Sequence, residues 1–260
     1  MTVTQIEIQL VATVVAVACA LPGVFLVLRR MAMMSDAISH TVLLGIVLAF
    51  FVVGDLESPV LVLGAAAMGV ITVALVEALH GTGLVKQDAA IGLVFPALFS
   101  IAVILISRFA RGGHLDVDAE LLRELANAPL NRMTFFGIDL PAARWVMGGI
   151  LLINIAFIAL FFKELKLATF DAGLAATLGF SPVLIHYALM TLVSITAVGA
   201  FDAVGSILVV ALMITPAATA YLLTDDLTRM LLYSAVIAVI SAIGGYWLAR
   251  WLDGNIAGAM

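Results

Sequence analysis

Charge is scarce in this 260-residue sequence: 11% of positions are Asp, Glu, Lys or Arg, while 64% are hydrophobic. A soluble domain normally carries about 25% charged residues, so a water-facing globular fold is excluded and the chain reads as a membrane protein. Cysteine is scarcer still. Cys19, the one cysteine, sits inside an apolar run, which rules out a disulfide framework and a thiolate metal cluster within one chain. Any metal chemistry therefore has to use carboxylate and imidazole. Basic residues number 12 against 17 acidic ones, a net charge of -5, and nowhere gather into a patch for nucleic acid. No Gly-rich phosphate loop of the Walker type occurs, so energy from a nucleotide would have to come through another polypeptide. Met1 to Gln5 carries no lysine or arginine ahead of the first apolar stretch, and that stretch reads as a retained span rather than a cleaved leader.

What the chain does have is apolar sequence in span-sized pieces. A spanning helix needs about 20 mainly apolar residues. Cutting at charges, prolines and glycines leaves eight stretches, at 6–28, 31–54, 58–79, 89–107, 145–162, 182–201, 204–223 and 230–250. They predict an all-α, polytopic transmembrane bundle of about eight spans, a single domain over 1–260 with no room for a soluble catalytic unit. Most connections are tight. The exception is 108–144, which holds five of the twelve basic residues together with Asp116, Asp118, Glu120, Glu124 and Asp139. Its Leu121, Leu122 and Leu125 spacing predicts a short amphipathic helix at the membrane surface. Counting basic residues in the short loops, Arg29, Arg30, Lys86, Lys163, Lys166 and Arg229 fall on one side and Arg250 on the other. With the long loop set aside, this bias favours an outside N-terminus.

The sharpest feature lies in the second span. Asp36 and His40 are four apart, so a helix puts them on one face. At about 1.5 Å per residue, His40 lies roughly 15 Å beyond Arg30, near the middle of a core about 30 Å thick. An ionisable residue at that depth costs at least about 2.5 kcal/mol, and two on one face imply partners. One reading is a divalent cation held by an Asp oxygen and a His nitrogen, a donor set that suits manganese, zinc or ferrous iron. The other is an internal hydrogen bond between the two, shared with Ser35 or Ser39 in a helix interface.

Three ordered motifs then carry a resemblance. The run from Arg29 to Gly45, the segment Thr169 to Phe180 and the segment Ala203 to Ala220 resemble the membrane permeases of bacterial ATP-binding-cassette importers for manganese, zinc and iron. The likeness extends over essentially the whole chain, and Lys163 to Asp171 is most similar to the manganese branch. The resemblance implies a multi-pass permease of the cytoplasmic membrane. Its partners would be a second permease copy, identical or related, two cytoplasmic ATPase subunits and an extracytoplasmic metal-binding protein. It implies a transported divalent metal, manganese first and zinc or iron as alternatives, rather than a resident cofactor or a catalytic site of the chain's own. Asp36 and His40 map onto the family's Asp-x-x-x-His pair in the translocation path, with the N-terminus outside. Residues 169–181 become a cytoplasmic coupling segment, in which Asp171, Ala172, Gly173, Leu174, Ala175, Ala176, Leu178 and Gly179 would dock into the ATPase. On the residues alone, Asp171 is a candidate N-cap for a brief helix through Leu178, Gly179 a stop and Pro182 the start of the next span.

Other polar residues have weaker claims. Asp202 precedes Gly205 and the Thr215-Pro216 break, a Gly/Pro-interrupted arrangement of the kind that exposes backbone around a cavity. It is a candidate metal contact on entry or else a plain loop acid. Arg108, Arg111, Arg123 and Arg132 are candidates for docking the binding protein through charge pairing, or for pairing with the loop's own acids. Glu77 and His80 read as cytoplasmic-edge residues, His186 as the polar start of the sixth span and His114 as a loop residue. Met31, Met33 and Met34 read as packing rather than soft ligands. Relatives in the resembled family commonly continue with a further hydrophobic segment, whereas this chain stops at Met260. An ATP-independent cation transporter would also bury an acid and a histidine, and an intramembrane hydrolase is disfavoured because neither Ser35 nor Ser39 sits on a strained turn.

Overall fold

Lipid offers no partner for a free N–H or C=O, which leaves a spanning chain the helix or the closed barrel. The computed structural model of the protein describes residues 3–54, 58, 60–109, 132–135 and 138–260 and is built on helices. In chain order they are α1 (Val3–Leu28), α2 (Ala32–Val53), α3 (Val60–Gly81), α4 (Gln87–Phe109), α5 (Ala142–Leu160), α6 (Phe162–Phe170), α7 (Ala172–Thr177), α8 (Pro182–Val204), α9 (Ser206–Leu223), α10 (Leu227–Leu252) and α11 (Ile256–Ala259). Eight of these, α1 to α5 and α8 to α10, are long and apolar enough to cross a membrane. All eight expected stretches are therefore helices, with ends displaced by a few residues.

Local chemistry explains the ends. Arg30 N donates to Val27 O at 3.0 Å and Met31 N to Leu26 O at 2.8 Å, which closes α1 in a left-handed turn with Arg30 at φ 59°. Gly54, at φ 72°, closes α2. Ser181 Oγ accepts from Leu184 N at 3.3 Å and Pro182 takes the first turn of α8. Asp226 caps α10 by accepting from Arg229 N at 3.0 Å, and that backbone bond holds its pKa below the usual carboxylate value. Between α8 and α9 the only link is Gly205, at φ 81° and ψ 163°.

The segment 108–144 differs in part from its sequence reading. Residues 110–131, with Arg111, His114, Leu121, Leu122, Arg123 and Leu125, lie outside the described residues, so the expected amphipathic helix does too. The part nearest α5 forms a hairpin of β1 (Arg132–Phe135) and β2 (Ile138–Pro141), paired antiparallel with Arg132 opposite Pro141 and Phe135 opposite Ile138. Four-residue strands carry too little periodicity to be told from loop in an otherwise helical chain.

Helix α1 forms the centre, packed against α5, α8, α9 and α10. Of its apolar stretch 67% is buried, against 22% for α4 and for α5. Because lipid tails are as apolar as leucine, such burial stabilises through close packing and interhelical hydrogen bonds rather than through escape from water. Gly23 permits a close backbone approach: a Cβ there would overlap the Met213 carbonyl oxygen of α9. Asn154 on α5 adds a buried polar tie, donating Nδ2 to Ala18 O of α1 at 2.8 Å and to Thr196 Oγ1 of α8 at 3.0 Å. Thr72 Oγ1 on α3 donates to Thr41 Oγ1 on α2 at 2.8 Å.

Gly23→Val should force α1 away from α9 at a cost of about 3 kcal/mol or more, read as loss of the single size-exclusion peak in detergent. Gly92→Ala, where an added Cβ meets nothing within 4 Å, should leave the peak in place.

Candidate functional site

The first turns of α2 set the candidate metal site. Ser35 Oγ donates to Ala32 O at 2.8 Å and Ser39 Oγ to Ser35 O at 2.9 Å. Both hydroxyls give their protons to carbonyls of their own helix. His40 Nε2 lies 3.4 Å from Asp36 Oδ1, with the side chains 27% and 33% exposed. Across from them, α4 supplies an aromatic wall. Phe95 stacks on the imidazole with ring centres 5.2 Å apart, and Phe99 meets it edge-on at 5.8 Å. These rings fix the plane of the imidazole, a role that no spacing in the sequence announced. His40 Nδ1 is buried and has no hydrogen-bond partner among the described residues.

That geometry fits a cation. An ion about 2.1 Å from each donor atom would see a 3.4 Å donor separation as an angle of roughly 110°, inside the range that tetrahedral and distorted octahedral ions accept. No group of three or more His, Cys, Asp or Glu converges among the described residues. The described residues thus offer two such donors here. His40 lies eight residues, about 12 Å, from Ala32 and 13 residues, about 20 Å, from Val53. The pair sits on the Arg29 side of the helix centre, with His40 about 4 Å from that centre.

The remaining sequence candidates separate in space. Asp202 belongs to the last turn of α8, while its side chain lies outside the described residues. Arg108 is exposed on the last turn of α4, Arg132 opens β1 with its side chain outside the description, and Arg111 and Arg123 are not described. Asp171 caps α7, its Oδ1 accepting from Leu174 N at 2.8 Å. The helix closes through Gly179 N to Ala176 O at 3.1 Å and Phe180 N to Ala175 O at 3.0 Å, with Gly179 at φ 87°. Ala175 is buried, whereas Leu174 and Leu178 are exposed and form an apolar ridge.

One cluster was missed by the sequence reading. Arg29, after α1, donates Nε to Thr169 Oγ1 on α6 at 3.2 Å and lies 3.1 Å through Nη1 from His186 Nδ1 on α8. A guanidinium can only donate, so Nδ1 is the acceptor nitrogen and Nε2 carries the proton. Nε2 faces Glu77 Oε1 of α3 at 2.5 Å. Burial lowers the Arg29 pKa, and the Glu77 carboxylate opposes that shift. The only sequence signal was four lone polar residues at helix ends.

Together the eight apolar helices and the carboxylate–imidazole pair define a multi-pass helical membrane protein with two polar groups 3.4 Å apart inside a span. The family model that matches residues 4–260 is the ABC 3 transport family, and the chain belongs to that family. It is 56% identical over 254 residues to the zinc transport system membrane protein TroD of Treponema pallidum, covering 98% of this chain and 69% of the relative. It is 49% identical over 257 residues to the manganese transport system membrane protein MntD of Bacillus subtilis, covering 98% and 87%. Among solved structures, PsaBC from Streptococcus pneumoniae in complex with Fab superposes with a TM-score of 0.79 at 28% identity, over 100% of this chain and 87% of that one.

Removing the α7 cap tests the local assignment. Asp171→Ala should loosen α7 by about 1 kcal/mol, read as faster amide exchange at residues 173–175, while Asp171→Asn should keep the protection.

Proposed function

We propose that the chain is the membrane permease of an ATP-driven importer for a divalent transition metal, manganese foremost, and that the metal passes between Asp36 and His40. The observation that carries this is the pair itself: an Asp oxygen and a His nitrogen 3.4 Å apart inside an apolar span, facing no described third ligand. Oxygen and imidazole donors with room for water suit manganese, and they serve zinc and iron as well. Because a first-row series places zinc above manganese at most such sites, selection would rest largely on an extracytoplasmic binding protein. That protein would dock on the face bearing Arg108, Arg111, Arg123 and Arg132, near which Asp202 would meet the incoming ion.

The other end completes the scheme. In the cytoplasmic membrane, with the Arg29 end inside and the N-terminus outside, the short helix from Asp171 to Gly179 becomes the coupling segment. Its exposed Leu174 and Leu178 would seat in a separate ATPase subunit, one for each of two permease copies. ATP binding and hydrolysis there would alternate the access of the Asp36 and His40 pair. The absence of a Walker loop in the chain supports a division of labour in which the chain conducts and its partners hydrolyse.

The test is metal uptake in cells carrying the complete importer. Asp36→Ala and His40→Ala should each lower manganese accumulation at least about tenfold, the loss of one charged ligand contact, while ATPase subunits still co-purify with the permease. Normal accumulation in both variants would refute the assignment.

A further inference from the structure

The cluster around Arg29 lies outside the metal pair, yet it touches the elements that a coupled importer has to move together. Thr169, which accepts the Arg29 Nε bond, stands two residues before Asp171, the cap of α7. On the other side of the guanidinium, His186 and Glu77 tie the start of α8 to the end of α3. A shallow cavity lined by Arg29, Glu77, Ala168, Ala172, Pro182 and His186 brings this cluster against the first residue of α7. The guanidinium, seated on His186 Nδ1, makes the Glu77 and His186 pair unfit for a cation.

Arg29 is also seven residues before Asp36. The turn between them holds Arg30 at φ 59°, a left-handed backbone that favours glycine, and ties Met31 N to Leu26 O of α1 at 2.8 Å. Only Arg30 and Met31 separate Arg29 from the first residue of α2. We propose that Arg29 is the positioning residue through which the coupling segment moves the metal ligands, engaged by Thr169 on one side and held to α3 and α8 through His186 and Glu77 on the other. The proposal rests on the importer reading above.

The experiment uses the complete importer, with its ATPases and binding protein, reconstituted in proteoliposomes, and reads manganese moved per ATP hydrolysed. Thr169→Val removes one hydroxyl and little shape, and Thr169→Ser restores it; Arg29→Gln removes the charge. Arg29→Gln should lower the transport-to-hydrolysis ratio about tenfold, as expected for loss of charged hydrogen bonds. Thr169→Val should lower it by a smaller factor, and Thr169→Ser should return it toward that of the unmutated complex. If Arg29→Gln fails to assemble, the Thr169 pair decides. An unchanged ratio in Thr169→Val, with transport intact in the unmutated complex, would overturn this inference alone. Absence of ATP-driven transport in the unmutated complex would overturn the importer reading and this inference with it.

Discussion

An ionisable side chain inside an apolar span has to be compensated where it stands, since lipid supplies neither water nor counter-charge. In α2 that constraint falls on Asp36 and His40, and much of the surrounding structure answers it. The two side chains compensate each other across 3.4 Å. Ser35 and Ser39 withdraw into their own helix, while Phe95 and Phe99 hold the imidazole plane without adding a competing polar group. The pair is left oriented, with His40 Nδ1 buried and lacking a hydrogen-bond partner among the described residues.

Close helix packing holds the surrounding bundle together. Apolar burial gives little preference for helix over lipid, so the bundle depends on positions where backbones approach, such as Gly23 against Met213, and on buried polar ties such as Asn154 to Ala18 and Thr196. The same physics separates the roles of the two ends. At the Arg29 end, helix termini carry hydrogen-bonding side chains that join α1, α3, α6 and α8; at the other, a hairpin leads into α5.

The eight spans were legible because their signal is compositional: about 20 apolar residues in a row identify a span without reference to any other part of the chain. Asp36 and His40 were legible for a related reason, being neighbours on one helix turn and rare in their setting. The Asp171 cap and the Gly179 stop are likewise local. What lay beyond the sequence is what depends on distant pairing. Arg29 and Thr169 are separated by 140 positions and Arg29 and His186 by 157, and nothing in either neighbourhood points to the other. The aromatic wall on α4 is invisible in the same way, since phenylalanine is ordinary in any span.

The central claim is that a transported metal is bound by Asp36 and His40, and pulsed electron paramagnetic resonance of manganese in the purified permease and ATPase complex, without the binding protein, tests it most directly. The account predicts an imidazole nitrogen coupled to the manganese spin in the native protein and its disappearance in His40→Gln. Nitrogen coupling of equal strength in His40→Gln would contradict it.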